Sequence, residues 1–273
     1  MITTSVDSRH AGWRNEALRV LGEEGYVTVA HVVPQDLIDR VLESADRTKE
    51  HVRRMVGPRN FEKARQQGVS EVRMPFAVEP VFFEFLELPQ VLEVVDEVLG
   101  PHAILRFQNF NTTEDQQDHY RSQQLHQNFR FPLKNDAGRA VLLEIGFPIG
   151  TSPLHFEVVP RSHRLGEPPG PAALDSQLRR VTWRQGEMFL FDPFVWHRER
   201  VAEAGTESLS VFQQFCRPFI KPHADYCHVL GSEALGRLPA RTRRLLGEHA
   251  RVPKSMADFY LPEEQRPYRS GQW

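Results

Sequence analysis

Apolar residues at the start of the chain alternate between helical spacing and short β-branched runs. Residues 13–24 predict a helix that ends at Gly25, and the following run, GYVTVAHVV at 25–33, predicts a strand. Pro34 suits the first turn of an amphipathic helix, whose apolar positions are Leu37, Val41, Leu42 and Ala45. The chain therefore opens as helix, strand and helix.

The next stretch is more polar and contains more helix breakers. Residues 56–75 are polar and interrupted by Gly and Pro, so they predict a loop. Two short helices are expected over 80–88 and 89–99, separated by Pro89 and closed by Gly100. The first hundred residues are thus predicted to be mainly helical.

After Gly100 the apolar pattern changes to short strand-like runs separated by turn residues. Their even spacing predicts a sandwich or barrel. The runs are AILRFQNFN (103–111), RAVLLEIGFPI (139–149), FEVVP (156–160), VTWR (181–184), EMFLFDP (187–193) and SLSVFQQFC (208–216). Residues 166–175 read as an insertion at a barrel rim, and residues 232–250 return to a helical pattern interrupted by Pro239.

These patterns predict one domain over residues 1–273, mainly β with flanking helices. A helical flank is expected at 1–100, a β-barrel core at 101–220 and a helical tail at 221–273. The loops at 56–75 and 166–175, together with the helical tail, are expected to shape a pocket for a small molecule. The oligomeric state is left open, and a homo-oligomer is compatible with the sequence.

Composition narrows the classes of function. The 34 basic and 36 acidic residues leave a net charge of −2, which argues against nucleic-acid binding by bulk charge. No run of about 18 apolar residues predicts a membrane span, and the start of the chain lacks a signal-peptide pattern. The only cysteines are Cys216 and Cys227, so no disulfide framework is expected and a cytoplasmic location is predicted.

Two of the 12 histidines lie in informative surroundings. His126 belongs to LHQNFRFP, and His197 follows an apolar strand in GEMFLFDPFVWH. A histidine near the end of a barrel strand is rigidly held and can still meet a ligand. FEVVPRSH, at residues 156–163, lies between the two and predicts a strand that enters a tight turn.

LHQNFRFP, FEVVPRSH and GEMFLFDPFVWH, in this order and spacing, resemble the phytanoyl-CoA dioxygenase family of Fe(II)/2-oxoglutarate oxygenases. The stretch 25–46 resembles the opening strand and helix of that family, so the resemblance covers roughly residues 20–220. It implies a double-stranded β-helix, the cupin-like jelly roll. It also implies an oxidoreductase that hydroxylates or desaturates a small organic molecule, such as a biosynthetic intermediate.

The resemblance implies that His126, Asn128 and His197 are catalytic residues and bind Fe(II), which needs three protein ligands on one face. Asn128 stands where the family has Asp, and it offers an amide oxygen without a negative charge. Ser208 stands eleven positions after His197, where the family has a basic residue that binds 2-oxoglutarate. Arg106 and Arg217 are the candidates to replace that anchor.

The two replaced residues leave three alternatives open. The protein is a working Fe(II) oxygenase, a metal-binding barrel with other chemistry, or a barrel without iron. In the last case it catalyses a non-oxidative step such as isomerisation, cyclisation or elimination, with His126 or His197 as acid or base, or it only binds a ligand.

Further polar residues complete the set of candidates. Glu144 is a charge within an apolar run and could serve as a replacement carboxylate. Glu157 is expected on the outer face by alternation, and Asp192, although close to His197, is expected to face the turn. His163 matches the turn histidine of the family, which is mostly structural. His223 begins a literal His-x-Asp, but this motif follows the second histidine instead of preceding it, so a helix start is expected there.

Overall fold

The computed structural model describes residues 4–66, 72–114, 125–128, 140–152, 154–165, 170, 177–201 and 207–269. Its strands form two sheets that face each other as a jelly roll with flanking helices. The strands are β1 Ser5–Asp7, β2 Tyr26–Ala30, β3 Val72–Arg73, β4 Ile104–Glu114, β5 Leu142–Pro148, β6 Leu154–Val158, β7 Arg179–Trp183, β8 Met188–Phe191, β9 His197–Val201 and β10 Glu207–Cys216.

The large sheet has the order β1-β2-β8-β5-β10-β4-β3, and the small sheet has the order β7-β6-β9. All strand pairs are antiparallel except β1 with β2. Neighbours in space are distant in sequence, as in the alternating connections of a double-stranded β-helix. A bridge between His126 and His197 adds one more residue pair at the free edge of β9.

The helices cover the outer face of the large sheet. They are α1 Trp13–Glu24, α2 Gln35–Val56, α3 Pro58–Gln66, α4 Glu84–Glu87, α5 Pro89–Leu99, α6 Tyr226–Gly236 and α7 Ala240–Leu245. The buried stripe of α2 contains Leu37, Val41 and Ala45, as the pattern predicts, with Ile38 buried while the predicted Leu42 is partly exposed. Burial of these stripes against the sheet forms the larger apolar core.

A second, smaller core lies between the two sheets and is mostly aromatic. Trp183 and Phe156 stack with their ring centroids 4.2 Å apart, and Trp183 also contacts Phe189 at 4.3 Å. Gly146 on β5 lets Trp183 lie against the backbone, because a Cβ there would meet the indole at 2.7 Å. The interior of the jelly roll is therefore packed with side chains over part of its length.

Most predicted elements are confirmed. The helix predicted over 13–24 is α1, and the strand predicted within 25–33 is β2. The six strand-like runs after residue 100 overlap β4, β5, β6, β7, β8 and β10 in turn. The interrupted helix of the tail is α6 followed by α7, although α6 begins at Tyr226, earlier than predicted. The fold class, a mainly β jelly roll with flanking helices, is confirmed as well.

Two predictions are wrong in detail, and strands β1, β3 and β9 were not predicted. The loop expected over 56–75 contains α3, because Gly57 with φ 85° ends α2 and Pro58 then starts a helix of strong helix formers. The helix expected over 80–88 begins as a 3₁₀ turn at Pro80–Phe83 and is helical only over α4. Strand β9 was not predicted, since the run HRERV carries charges in place of apolar residues.

Some expectations concern parts of the chain that the structure does not describe. The rim insertion predicted at 166–175 lies outside the described residues except for Gly170. Within the described residues, no helix is both long and apolar enough to cross a membrane.

Candidate functional site

His126 and His197 form the centre of the candidate site. Each backbone amide donates to the carbonyl of the other residue, at 2.9 and 3.0 Å. Their imidazole rings lie on the same side of this bridge, with centroids 4.6 Å apart and planes inclined at 49°. Both residues are buried. The structure thus brings together the two histidines that the sequence singles out.

The turn before β9 fixes the position of His197. Asp192 Oδ1 accepts a hydrogen bond from the Phe194 amide at 2.9 Å, an Asx turn that reverses the chain after β8. The Trp196 amide then donates to Ser162 Oγ at 2.8 Å. Asp192 and Ser162, both within the sequence motifs, therefore serve to hold the turn.

The ring of His197 has one nitrogen committed to the backbone. Its Nδ1 lies 2.9 Å from the carbonyl oxygen of Val195, and a carbonyl can only accept, so Nδ1 carries the proton. In the neutral ring Nε2 then has a lone pair, and this tautomer can bind a metal through Nε2. Phe156 and Phe191 pack against the same ring at 5.9 and 5.4 Å between centroids.

Asn128 contacts a carboxylate from another strand. Its Nδ2 donates to Glu144 Oε1 at 2.9 Å, and its backbone amide donates to the carbonyl of Pro193 at 3.1 Å. Glu144 is 2% exposed on the central strand β5. The candidate replacement carboxylate of the sequence analysis therefore touches the residue that stands in the position of the family's Asp.

Glu144 is part of a longer polar network. Gln214 Nε2 donates to Glu144 Oε2 at 2.9 Å, while Gln214 Oε1 accepts from Arg106 at 2.6 Å. Burial lowers the pKa of Arg106 and the nearby Glu144 acts in the opposite direction. The sequence identifies Arg106 and Glu144 as separate candidates, but only the structure shows that Gln214 connects them.

The other two predicted anchors for an acid lie elsewhere. Ser208 is buried at the start of β10, where its hydroxyl donates to the carbonyl of Ser152 at 2.9 Å. The Arg217 side chain donates from Nε to the carbonyl of Ala140 at 2.7 Å, at the end of the same strand. These hydrogen bonds lead away from the network of Asn128, Glu144, Gln214 and Arg106, so Arg106 is the basic candidate that contacts this network.

The remaining sequence candidates have structural contacts. Glu157 binds Arg198 at 2.5 Å on the outer side of the small sheet. His163 Nε2 lies 3.3 Å from the carbonyl of Gly22 in α1. Asp225 caps α6 by accepting from the His228 amide, and the His223 ring stacks on Phe107 at 5.1 Å. The helix start expected at the His-x-Asp is therefore confirmed.

The donor set fits a metal better than it fits 2-oxoglutarate. Two imidazoles and an amide oxygen are ligands that iron accepts in proteins, although no group of three or more His, Cys, Asp or Glu suited to a metal occurs within the described ranges. At position 208 the structure has a serine whose hydroxyl donates to the carbonyl of Ser152. A serine hydroxyl lacks the charge and the paired donors with which an arginine binds a carboxylate.

Solved structures resemble this fold at low sequence identity. The nickel complex of the non-heme monooxygenase ThoJ has a TM-score of 0.56 at 13% identity, covering 76% of this chain and 79% of ThoJ. The α-ketoglutarate-dependent epimerase SnoN has 0.52 at 16%, covering 74% and 81%. Apo HygX from Streptomyces hygroscopicus has 0.55 at 14%, covering 80% and 94%. These likenesses, at identities of 13–16%, support the cupin-like jelly-roll fold.

Sequence relatives are more similar along the chain. No protein-family model matches the sequence. The Uncharacterized protein Rv1501 of Mycobacterium tuberculosis and the Uncharacterized protein Mb1539 of Mycobacterium bovis are each 31% identical over 257 residues, which cover 91% of this chain and 92% of theirs. With this identity over nearly the whole length, the chain belongs to the family of these mycobacterial proteins.

Proposed function

We propose that this protein is an iron-dependent enzyme that oxidises a small organic molecule at the His126–His197 site. The single observation that carries the proposal is the buried pair of imidazoles, one of which is held in the metal-binding tautomer by the Val195 carbonyl. The motifs that resemble the phytanoyl-CoA dioxygenase family and the jelly-roll fold support it.

In this proposal His126, His197 and Asn128 hold the metal. Iron, when bound, supplies one-electron chemistry with O₂ that amino-acid side chains do not offer. Phe156 and Phe191 lie against His197, where they keep water from the ring and fix its orientation.

The polar network would bind and orient the substrate. Arg106, which contacts Gln214, is the side chain suited to a carboxylate of a substrate or of oxoglutarate. Ser208 has no such role in this proposal, because its hydroxyl donates to the Ser152 carbonyl and it carries no charge that would bind a carboxylate.

Anaerobic titration with Fe(II), or with Co(II) as a spectroscopic probe, tests the proposal. The wild type should bind one equivalent, and His126→Ala and His197→Ala should each weaken binding at least 100-fold, since each removes a ligand. His155→Ala is the matched control, because His155 Nδ1 is 2.9 Å from the Thr182 hydroxyl on β7 and is not in the pair. Binding that survives both substitutions would sink the proposal.

A second candidate is a metal-independent, non-oxidative reaction such as an isomerisation. The contact between Asn128 and Glu144 favours it, because it connects a buried carboxylate to a residue two positions from His126, and carboxylates and imidazoles are the side chains suited to moving protons. The same titration separates the two candidates: a folded wild type that binds neither Fe(II) nor Co(II) at the histidines supports the second.

A further inference from the structure

Asn128 stands at the position where the family that the sequence resembles has a negatively charged metal ligand. The carboxylate of Glu144 lies one hydrogen bond away from it. Asn128 Nδ2 and Glu144 Oε1 are 2.9 Å apart. Asn128 comes from the segment beside β9, at the edge of the small sheet, whereas Glu144 comes from the middle of the large sheet. The two sheets therefore meet through this contact, inside the jelly roll.

Ionised Glu144 determines which way the Asn128 amide faces. A carboxylate oxygen only accepts hydrogen bonds, so the amide must present its NH₂ to Glu144. The amide oxygen, Oδ1, then lies on the opposite side of the planar group. Asn128 follows the bridged His126 by two residues, at a bend, so Oδ1 is the amide atom that remains for a metal near the histidine pair.

Glu144 is itself held in place from the other side. Gln214 Nε2 donates to Oε2, and Arg106 in turn donates to Gln214. Both carboxylate oxygens thus receive an amide N–H, and a cationic side chain stands at the end of the network. Such support is typical of groups that orient the ligands of a metal.

We propose that Glu144 is a positioning residue that supplies the negative charge of the metal site from β5 and turns the Asn128 oxygen towards the metal. This inference rests on the proposed function and deepens it, since it concerns the same site. Position 128 lacks a carboxylate, and Glu144 supplies the negative charge of the site in its place.

Co(II) affinity, measured by calorimetry together with the visible spectrum of the bound ion, tests the inference on the full chain. Glu144→Gln should weaken Co(II) binding roughly 10- to 100-fold, the effect typical of a lost orienting partner. Glu157→Gln is the matched control. Glu157, in β6, is a buried carboxylate like Glu144, but it binds Arg198 on the outer side of the small sheet. The affinity of this variant should stay within about twofold of the wild type.

Moving the charge gives a second, independent test. Asn128→Asp alone puts two carboxylates in contact, and their repulsion should offset most of the expected gain. The double variant N128D/E144Q places one carboxylate at position 128 with an amide donor behind it, so it should bind Co(II) at least as tightly as the wild type. This variant keeps the inference testable if Glu144→Gln alone fails to fold.

Two outcomes overturn the inference. The first is an unchanged Co(II) affinity in Glu144→Gln. The second is that Asn128→Asp raises the Co(II) affinity equally in the wild type and in the Glu144→Gln background. A wild type that binds no Co(II) at the histidines overturns the proposed function instead. If the wild type binds Co(II) and the Glu144 variants have the same Co(II) affinity as Glu157→Gln, only the role of Glu144 is overturned.

Discussion

Burial lowers the pKa of His163, the histidine of the turn after β6. Its Nε2 lies 3.3 Å from the Gly22 carbonyl, so the ring joins the jelly roll to the end of α1. The neutral form is favoured because a charged ring would lose hydration there. The structural role that the motif implies for His163 is consistent with this contact.

The stability of the protein should therefore decrease in mild acid. Below the ordinary histidine pKa of about 6.5, the unfolded chain binds a proton that folded His163 resists, so the free energy of unfolding falls as the pH falls. His163→Gln should reduce this dependence by at most about 1.4 kcal/mol per pH unit. Urea denaturation between pH 7.5 and 5 measures it.

His155 and His249 have pKa values that burial also lowers, so the variant removes only part of the acid dependence. Their substitution serves as the comparison. An identical pH dependence in wild type and His163→Gln would contradict the assignment.

At the site, the sequence predicted individual residues better than contacts. His126 and His197 stood out through motifs and spacing, and their rings do face each other. The contact of Asn128 with Glu144 was not predicted, because it depends on the register of β5 and on the approach of the two sheets. Local sequence patterns specify neither the register of a strand nor the approach of two sheets.

At the scale of elements, Gly25 decides how α1 joins β2. It ends α1 with φ 87°, and a Cβ there would lie 2.4 Å from Val195 Cγ2 and 2.5 Å from His163 Nδ1. Its carbonyl accepts from the Asp192 amide at 2.8 Å. The junction thus touches both turns that support the site.

Gly25→Ala should destabilise the protein by about 2–5 kcal/mol, combining the strain of a left-handed alanine with overpacking. Gly22→Ala is the control within the same helix, since a Cβ there meets nothing within 4 Å. It should stabilise the fold by about 0.5–1 kcal/mol. Chemical denaturation compares the two, and equal effects would contradict the packing described for Gly25.

Helices and strands were predicted correctly where one hydrophobic pattern, helical spacing or an apolar strand run, dominated the segment. They were missed where no such pattern was present. Strands such as β8 and β5 are fully buried, and their apolar runs were recognised. Strand β9 carries HRERV, and its strand conformation comes from pairing with β6. Propensity gives way to such tertiary pairing, so an edge strand that bears a site histidine was missed.

At the scale of the whole molecule, the space between the sheets has two unlike halves. One contains the aromatic cluster of Phe156, Trp183, Phe189 and Phe212. The other contains the polar network with Glu144, Gln214 and Arg106, beside the histidine pair. The halves meet at Phe156, which contacts both Trp183 and His197. A ligand is therefore expected in the polar half.

Trp183→Ala tests whether the aromatic half is a packed core. Trp183 is fully buried between Phe156, Phe189 and Gly146, so its loss should leave a cavity and cost about 3–5 kcal/mol. Trp196→Ala, at a partly exposed tryptophan, should cost less, and urea denaturation of both variants gives the comparison. A cost for Trp183→Ala no larger than that for Trp196→Ala would mean that the aromatic half is loosely filled. Space between the sheets would then be available to a ligand in the aromatic half as well as in the polar half.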